Sequence, residues 1–351
     1  MAVGHEPTAE THARQRPPPR RAAHSATAPP SVPAPHPNPP APQADCRRNT
    51  PCIAGRVPAT SSVSCRRRGT SLCELITLLR SASYRGGAVS DSRYIPVGVD
   101  PYKPNSARAY NYMLGGKDYY EADLEFARRV LSAAPDSREL AQMSRRFLLH
   151  GVRVAAESGI EQFIDIGAGI PFSPSVHDTA REIAQAARVV SVDFDPVVHA
   201  HATVMLAGTP GDTPMLADLR QPDELLDRLR AEGLIDFTRP VAVLLVGVLH
   251  FVMDSEQPAA ILARLRDAMA PGSFLVLSHA SAASDQGFIT QVIAATKGST
   301  SQPAIRTHAE IARYLDGFEL LDPGLAPIQD WLADNSPTTR VEILGCLCRK
   351  P

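Results

Sequence analysis

From Gly159 onward the sequence alternates short apolar segments with amphipathic ones. The apolar segments predict strands at QFIDI, RVVSVD, TPMLAD, VAVLLVGV and SFLVLSH, and GFELLDPG and TTRVEILGCLCRK add two more. Helical periodicity occurs between them in VHDTAREIAQAA, DELLDRLRAEG and PAAILARLRDAMA. Because strand–helix–strand repetition makes neighbouring strands parallel, residues 159–351 are predicted to form an α/β domain with a doubly wound, mainly parallel sheet of about seven strands.

Helix starts carry their own signals in this region. Pro174, Pro196, Pro222 and Pro258 stand where a first-turn proline loses no hydrogen bond, so each is predicted to open a helix. Thr307 and Glu310 have the spacing of a capping box.

Residues 1–88 have a different composition. They contain clustered prolines and many arginines but no lysine, and little apolar periodicity, so we expect a disordered tail. The same bias resembles translated GC-rich upstream DNA, which suggests that translation starts later, with Val89 as a plausible position. Residues 89–158 are predicted to form a small helical cap, because apolar residues from Phe126 to Val154 fall at helical spacings that indicate two helices before the first strand.

Charge and cysteine content limit the function classes. The net charge of −1 gives no general reason to expect a nucleic acid or a membrane surface as partner. The sequence has neither an apolar run of transmembrane length nor a secretory signal at its start, so we expect a cytoplasmic location. Cys346 and Cys348 lack a second Cys or His pair, which favours structural thiols over a metal site.

The segment FIDIGAGIPFS, residues 163–173, predicts a ligand loop between a strand and a helix. Asp165 lies near the end of the strand, and Gly167, Ala168 and Gly169 follow, where glycines allow the backbone to approach a ligand. A dinucleotide site requires a third glycine at the position of Phe172. Its replacement weakens the alternative of an NAD-type dehydrogenase.

Carboxylates also end the next two predicted strands. Asp193 closes RVVSVD, where a carboxylate can accept hydrogen bonds from both hydroxyls of an unphosphorylated ribose. Asp195 is interpreted as the cap of the helix opened by Pro196. Asp218, followed by Leu219, could receive an adenine amino group, although a helix cap is the alternative. Together these positions predict a nucleoside site at the carboxyl edge of the sheet.

The fourth strand, VAVLLVGV, brings Gly247, Leu249 and His250 to the same edge. His250 is a candidate general base, and a histidine packed beside the sheet is an equally good interpretation. His199 and His201 lie two apart on a helix and face apart, so they do not form a metal pair.

With these motifs in order, residues 104–350 resemble the class I methyltransferases, and most closely a bacterial S-adenosylmethionine-dependent family formerly catalogued as a domain of unknown function. The resemblance rests on six blocks, at residues 106–123, 163–178, 189–198, 217–226, 243–252 and 270–281. It implies S-adenosylmethionine as cofactor, with its methionine part along Asp165, Gly167, Ala168 and Gly169, its ribose on Asp193 beside Phe194, its adenine at Asp218 and Leu219, and its methyl group bordered by Val248, Leu249 and His250.

The first of these blocks, SARAYNYMLGGKDYYEAD, has no chemistry assigned by the resemblance. We expect it to close over the cofactor as a lid and to build part of the acceptor pocket, through Tyr110, Tyr112, Gly115, Gly116, Lys117 and Asp118. The alternative is a solvated lead-in to a helix with the two glycines as its turn.

The expected function is in-line transfer of a methyl group from S-adenosylmethionine to an unidentified small-molecule acceptor. Such a transfer depends mainly on the positioning of donor and acceptor, so the absence of an obvious catalytic dyad does not argue against an enzyme. The alternative is a non-catalytic S-adenosylmethionine-binding or regulatory protein.

Overall fold

The structure is a computed structural model, and it describes residues 100–297, 302–332, 336–337 and 339–351. The predicted tail at residues 1–88, the proposed start at Val89 and the first residues of the predicted cap lie outside the described residues.

The helices and strands follow each other in the order that the alternating pattern predicts. The helices are α1 (Ser106–Leu114), α2 (Glu121–Ala133), α3 (Ser137–Glu157), α4 (Val176–Arg181), α5 (Pro196–Met205), α6 (Pro222–Ala231), α7 (Pro258–Ala268), α8 (Gln286–Thr296), α9 (His308–Ala312) and α10 (Ile328–Trp331). The strands are β1 (Gln162–Ile166), β2 (Arg188–Asp193), β3 (Asp212–Leu216), β4 (Ala242–Leu245), β5 (Phe274–Ala280), β6 (Glu319–Leu320), β7 (Ala326–Pro327) and β8 (Ile343–Arg349).

The predicted doubly wound sheet is confirmed. The strands are ordered β3-β2-β1-β4-β5-β8-β6, and β7 pairs with β8. Strands β1 to β5 are parallel, whereas β8 runs antiparallel to β5. Chain order reverses between β1 and β4, and in open α/β sheets ligands bind at the carboxyl ends of the strands at such a switch point.

Helices cover both faces of the sheet, which is why its central strands are apolar on both sides. Every residue of β1, β4 and β5 is buried. Ile164 and Val243 belong to one hydrophobic cluster, while Phe163 and Leu244, their neighbours in sequence, belong to the cluster on the other face. Helix α3 adds Phe147 to the second cluster and so shares the core of the sheet domain, whereas Ala109 of α1 and Phe126 of α2 belong to a separate small cluster.

From residue 100 onward three helices precede the first strand, which are the two predicted helices, α2 and α3, and one more. The helix that the pattern missed is α1, whose buried residues are Arg108, Ala109 and Asn111. Arg108 forms a buried ion pair with Asp123 of α2, with 2.6 Å between Nε and Oδ2. Because the inner face of α1 is largely polar, hydrophobic periodicity could not reveal it.

Several element ends differ from the prediction. Pro196, Pro222 and Pro258 open helices as expected, but Pro174 does not, because Ser175 caps α4 and the helix begins at Val176. The third strand ends at Leu216, which leaves Asp218 in the following loop. Thr307 and Glu310 form the predicted capping box.

The C-terminal strand β8 buries both of its cysteines. Cys346 and Cys348 lie on one face of the strand with their sulfurs 3.5 Å apart, as strand periodicity predicts. Within the described ranges, the His, Cys, Asp and Glu side chains form no cluster that could hold a metal ion.

None of the helices in the described part of the chain is long and apolar enough to cross a membrane.

Candidate functional site

The loops after β1, β2 and β4 meet at the carboxyl edge of the sheet. The loop after β1 contains Gly167, Ala168 and Gly169 and is called the glycine loop here. The backbone N–H groups of Gly167 and Ala168 donate to the Val192 carbonyl oxygen over 2.8 and 3.1 Å. The N–H of Gly169 donates to Oδ2 of Asp193 over 3.0 Å. The glycine loop is therefore held against the end of β2, and the two sequence motifs form one structure.

Both glycines of this loop need backbone angles that other residues avoid, since φ is +72° at Gly167 and +67° at Gly169. Their surroundings differ. A Cβ on Gly167 would lie 2.4 Å from Cγ2 of Val248, whereas a Cβ on Gly169 would meet no atom within 4 Å. Val248 therefore packs directly on the glycine loop, and open space adjoins Gly169.

Gly167→Ala is expected to destabilise the fold more than the matched control Gly169→Ala. Both substitutions carry the cost of a positive φ, and only the first forces Val248 to move, which adds about 1–3 kcal/mol to the loss of unfolding free energy. Urea unfolding of the two variants measures the difference. Equal losses would contradict the close packing of Val248 on Gly167.

Asp193 joins the first two loops of the edge. Its side chain is only 8% exposed, and its Oδ1 accepts a hydrogen bond from the Asp195 N–H over 3.0 Å. Burial raises the pKa of Asp193, although backbone N–H groups of Asp195 and Gly169 oppose the shift by stabilising the carboxylate. Asp195 caps α5 by accepting from the Val197 N–H over 2.8 Å, which confirms its interpretation as a helix cap.

Asp165 is buried near the end of β1, with 7% of its surface exposed. Burial raises its pKa to about 7; Arg145 opposes the shift, and the carboxylates of Asp212 and Asp193 add to it. Among the described residues no hydrogen-bond donor reaches its carboxyl group. Asp165 is thus a buried acid that protein donors leave unsatisfied.

Asp218 is held by Arg220. Nε of Arg220 lies 2.9 Å from Oδ1 and Nη2 lies 2.7 Å from Oδ2, and Gln221, not Asp218, is the N-cap residue of α6. Arg220 also pairs with Glu256 at 3.2 Å, and its guanidinium carbon lies 5.3 Å from the centroid of the Phe194 ring. Arg220 therefore brings Phe194 and Asp218 to one place, while Leu219 is buried in the core.

His250 lies in a short 3-10 turn, Leu249–Phe251, which follows β4 after a loop of three residues. Its Nδ1 is buried and has no hydrogen-bond partner in the part of the chain that the structure describes. Burial, together with the nearby His279 and Arg306, lowers the pKa of His250 to about 3. His250 is therefore neutral at neutral pH and presents a free ring nitrogen.

The turn that carries His250 is held by Arg306, which sequence analysis missed. Nη2 of Arg306 donates to the Val252 carbonyl oxygen and to Asp254, both over 2.7 Å. Its Nη1 lies 2.8 Å from Nε2 of His279. Because arginine only donates, Nε2 of His279 accepts and its Nδ1–H donates to the Ala280 carbonyl oxygen over 2.8 Å. Arg306 stands in a loop with no motif or periodicity, so no local signal could have identified it.

The N-terminal helices reach the same edge. Nδ2 of Asn105 hydrogen-bonds to Oδ2 of Asp195, and the Tyr110 hydroxyl donates to the Ala141 carbonyl oxygen of α3 over 3.1 Å. Tyr112 packs elsewhere, with its ring 5.1 Å from that of Tyr119. The structure therefore places Tyr110 and Tyr112 against different partners, and the two rings do not form one continuous surface.

The remaining residues of the first block form the end of α1. Gly115 ends the helix with φ +91°, and a Cβ on Gly116 would lie 2.1 Å from Oδ1 of Asn111, so both glycines are required by the turn. The N–H of Asp118 donates to the same Asn111 oxygen over 3.1 Å, and Lys117 is exposed.

A surface cavity of about 400 Å³ lies away from this edge. It opens at the amino ends of the parallel strands and is lined by Glu161, Arg181, Gln185, Ala186, Ala187, Arg188, Pro210, Gly211 and Arg239. None of these is a predicted cofactor residue, so the predicted site and this cavity are separate.

Comparison with known proteins identifies relatives over nearly all of the described chain. A family model described as S-adenosyl methyltransferase matches residues 94–351. A crystal structure of a protein designated a methyltransferase from Thermobifida fusca YX is 34% identical, with a TM-score of 0.68, and the match covers 74% of this chain and 99% of that one. A DUF574 family protein from Streptomyces avermitilis MA-4680 is also 34% identical, with a TM-score of 0.68 and coverages of 72% and 99%. A search of curated proteins gives no match.

Proposed function

Because this chain belongs to the S-adenosyl methyltransferase family, we propose that it binds S-adenosylmethionine at the carboxyl edge of its sheet and transfers the methyl group to a small-molecule acceptor. The observation that carries the proposal is the position of Asp193 at the end of β2, near the switch point of the sheet. Its buried carboxylate accepts a hydrogen bond from the N–H of Gly169 and so holds the glycine loop against β2.

The polar groups at this edge fit such a cofactor. Each carboxylate oxygen of Asp193 accepts one backbone hydrogen bond and retains a lone pair for a ribose hydroxyl. Asp165 has free acceptors for an ammonium group, and the open space at Gly169 admits a ligand chain. The proposed cofactor residues are those named from the sequence, namely Asp165, Gly167, Ala168, Gly169, Asp193, Phe194, Asp218, Leu219, Val248 and Leu249.

When bound, S-adenosylmethionine supplies a methyl group activated on a sulfonium. The residues of the chain then have to align the acceptor with that methyl group, and alignment alone can lower a barrier by about 7–11 kcal/mol. His250, kept neutral by burial, offers its unpaired Nδ1 for a hydrogen bond with the acceptor molecule and is not a strong base at neutral pH.

We extend the proposal to the N-terminal block, which would close over the site as a lid. The contact of Asn105 with Asp195 joins this block to the loop after β2, and exposed Lys117 is available to an acidic group. Limited proteolysis of residues 106–123 tests the lid, since a bound cofactor is expected to slow cleavage there and equal cleavage with and without it would leave the block a structural lead-in.

Calorimetry on the full chain tests the cofactor. S-adenosylhomocysteine, the product form of the cofactor, is expected to bind, and NAD is expected not to bind, because the loop lacks a third glycine. Binding of NAD without binding of S-adenosylhomocysteine would overturn the proposed function. Incubation with methyl-labelled S-adenosylmethionine and a small-metabolite extract then distinguishes an enzyme, which moves label into the metabolites, from a non-catalytic binding protein, which does not.

A further inference from the structure

Arg145, on α3, reaches the loop that follows the glycine motif. Its Nη2 donates to the carbonyl oxygens of Phe172 and Pro174 over 2.9 and 2.6 Å. Its Nε is buried and has no hydrogen-bond partner in the described ranges. An unpaired buried N–H of a charged group is costly, so a guanidinium left in this state is typical of a group that awaits a ligand.

Asp165, near the end of β1, carries the complementary charge. The positive charge of Arg145 is close enough to oppose the burial that raises the pKa of Asp165. Nevertheless, within the described residues the two side chains form no ion pair and no hydrogen bond with each other. A buried acid and a partly buried base thus stand near each other with donors and acceptors unused.

Opposite charges arranged in this way match the two charged ends of an amino acid. Resting on the proposed function, we infer that Arg145 binds the carboxylate of the methionine part of the cofactor, while Asp165 receives its ammonium group. A guanidinium suits this role because its unpaired Nε–H can donate to a carboxylate while Nη2 keeps its bonds to the loop.

The placement of Arg145 also joins the N-terminal helices to cofactor binding. Tyr110 donates to the carbonyl oxygen of Ala141, one helical turn before Arg145, and Arg145 acts on the Tyr110 hydroxyl electrostatically. A carboxylate bound by Arg145 would therefore lie near Tyr110, in the middle of α1.

The inference is tested by comparing two ligands on the full chain. S-adenosylhomocysteine carries the amino-acid end, whereas 5′-methylthioadenosine has the same nucleoside and sulfur without it. Arg145→Met is expected to lower the affinity for S-adenosylhomocysteine about ten- to hundred-fold, which is the loss typical of hydrogen bonds to a charged group. The affinity for 5′-methylthioadenosine is expected to stay within about two-fold of the wild-type value. Arg145→Lys should recover part of the affinity for S-adenosylhomocysteine. Arg153→Met is the matched control, because Arg153 lies on the same helix in an exposed ion pair with Glu182 at 3.8 Å.

Each outcome decides between the possibilities. Equal weakening of both ligands in Arg145→Met would show that Arg145 only positions the loop, and unchanged affinity for both would remove it from the site; either result overturns the inference and leaves the proposed function standing. If the wild-type chain binds neither ligand, the proposed function fails and the inference fails with it.

Discussion

Replacing Asp193 by alanine is expected to lower the affinity for S-adenosylhomocysteine by about 10²- to 10⁴-fold. Two ribose hydroxyls donating to one carboxylate contribute roughly 1.5–3 kcal/mol each, or about 3–6 kcal/mol together. The same substitution removes the acceptor for the N–H groups of Gly169 and Asp195, so the glycine loop also loses its tie to β2. The loss of the ribose contacts and the loosening of the glycine loop both lower the affinity for S-adenosylhomocysteine.

Calorimetry with two further variants measures how far the loss of affinity depends on the carboxylate of Asp193. Asp193→Asn retains one acceptor oxygen and should lose less affinity than Asp193→Ala. Asp195→Ser keeps an N-cap for α5 and serves as the neighbouring control, with affinity close to that of the wild type. Unchanged affinity in Asp193→Ala would place the ribose elsewhere.

Asp165→Asn is expected to stabilise the fold above pH 7 by about 2–4 kcal/mol. The folded pKa of about 7 exceeds the value of about 4 in an unfolded chain, so the folded state binds the proton more tightly. The contribution of Asp165 to stability is therefore greatest below about pH 4 and is lost as the pH rises through about 7, because the buried acid must then ionise. Asparagine mimics the neutral acid and avoids this cost, but it cannot pair with an ammonium group, so cofactor affinity should fall.

Urea unfolding at pH 5 and pH 8 measures the effect, which should be clearly larger at pH 8. Asp218→Asn is a control for which the expected change in unfolding free energy has the opposite sign. Burial alone would raise the pKa of Asp218, yet the hydrogen bonds and charge of Arg220 outweigh it and hold the pKa below its usual value. Asp218→Asn should therefore lose stability at neutral pH, and this loss should diminish as the pH falls through the pKa. A wild-type chain as stable at pH 8 as Asp165→Asn would contradict the raised pKa of Asp165.

Much of the fold was predictable because it is written in local patterns. The apolar runs of the central strands and the amphipathic helices between them specify parallel strands, and right-handed crossovers leave few alternatives for the sheet. Strand ends were predicted less well. Asp218 stands two residues beyond β3 because backbone pairing, which involves β2, decides where that strand stops.

The sequence by itself determined the sheet and the order in which Asp165, Asp193 and His250 follow their strands, because the carboxyl ends of parallel strands meet at one edge. Only the tertiary structure decided which side chains hold these groups. Arg145 bonds to carbonyl oxygens 27 and 29 residues away, and Arg306 bonds to one 54 residues away. Such contacts between buried polar groups follow neither the helical nor the strand period, so they arise only when the chain packs.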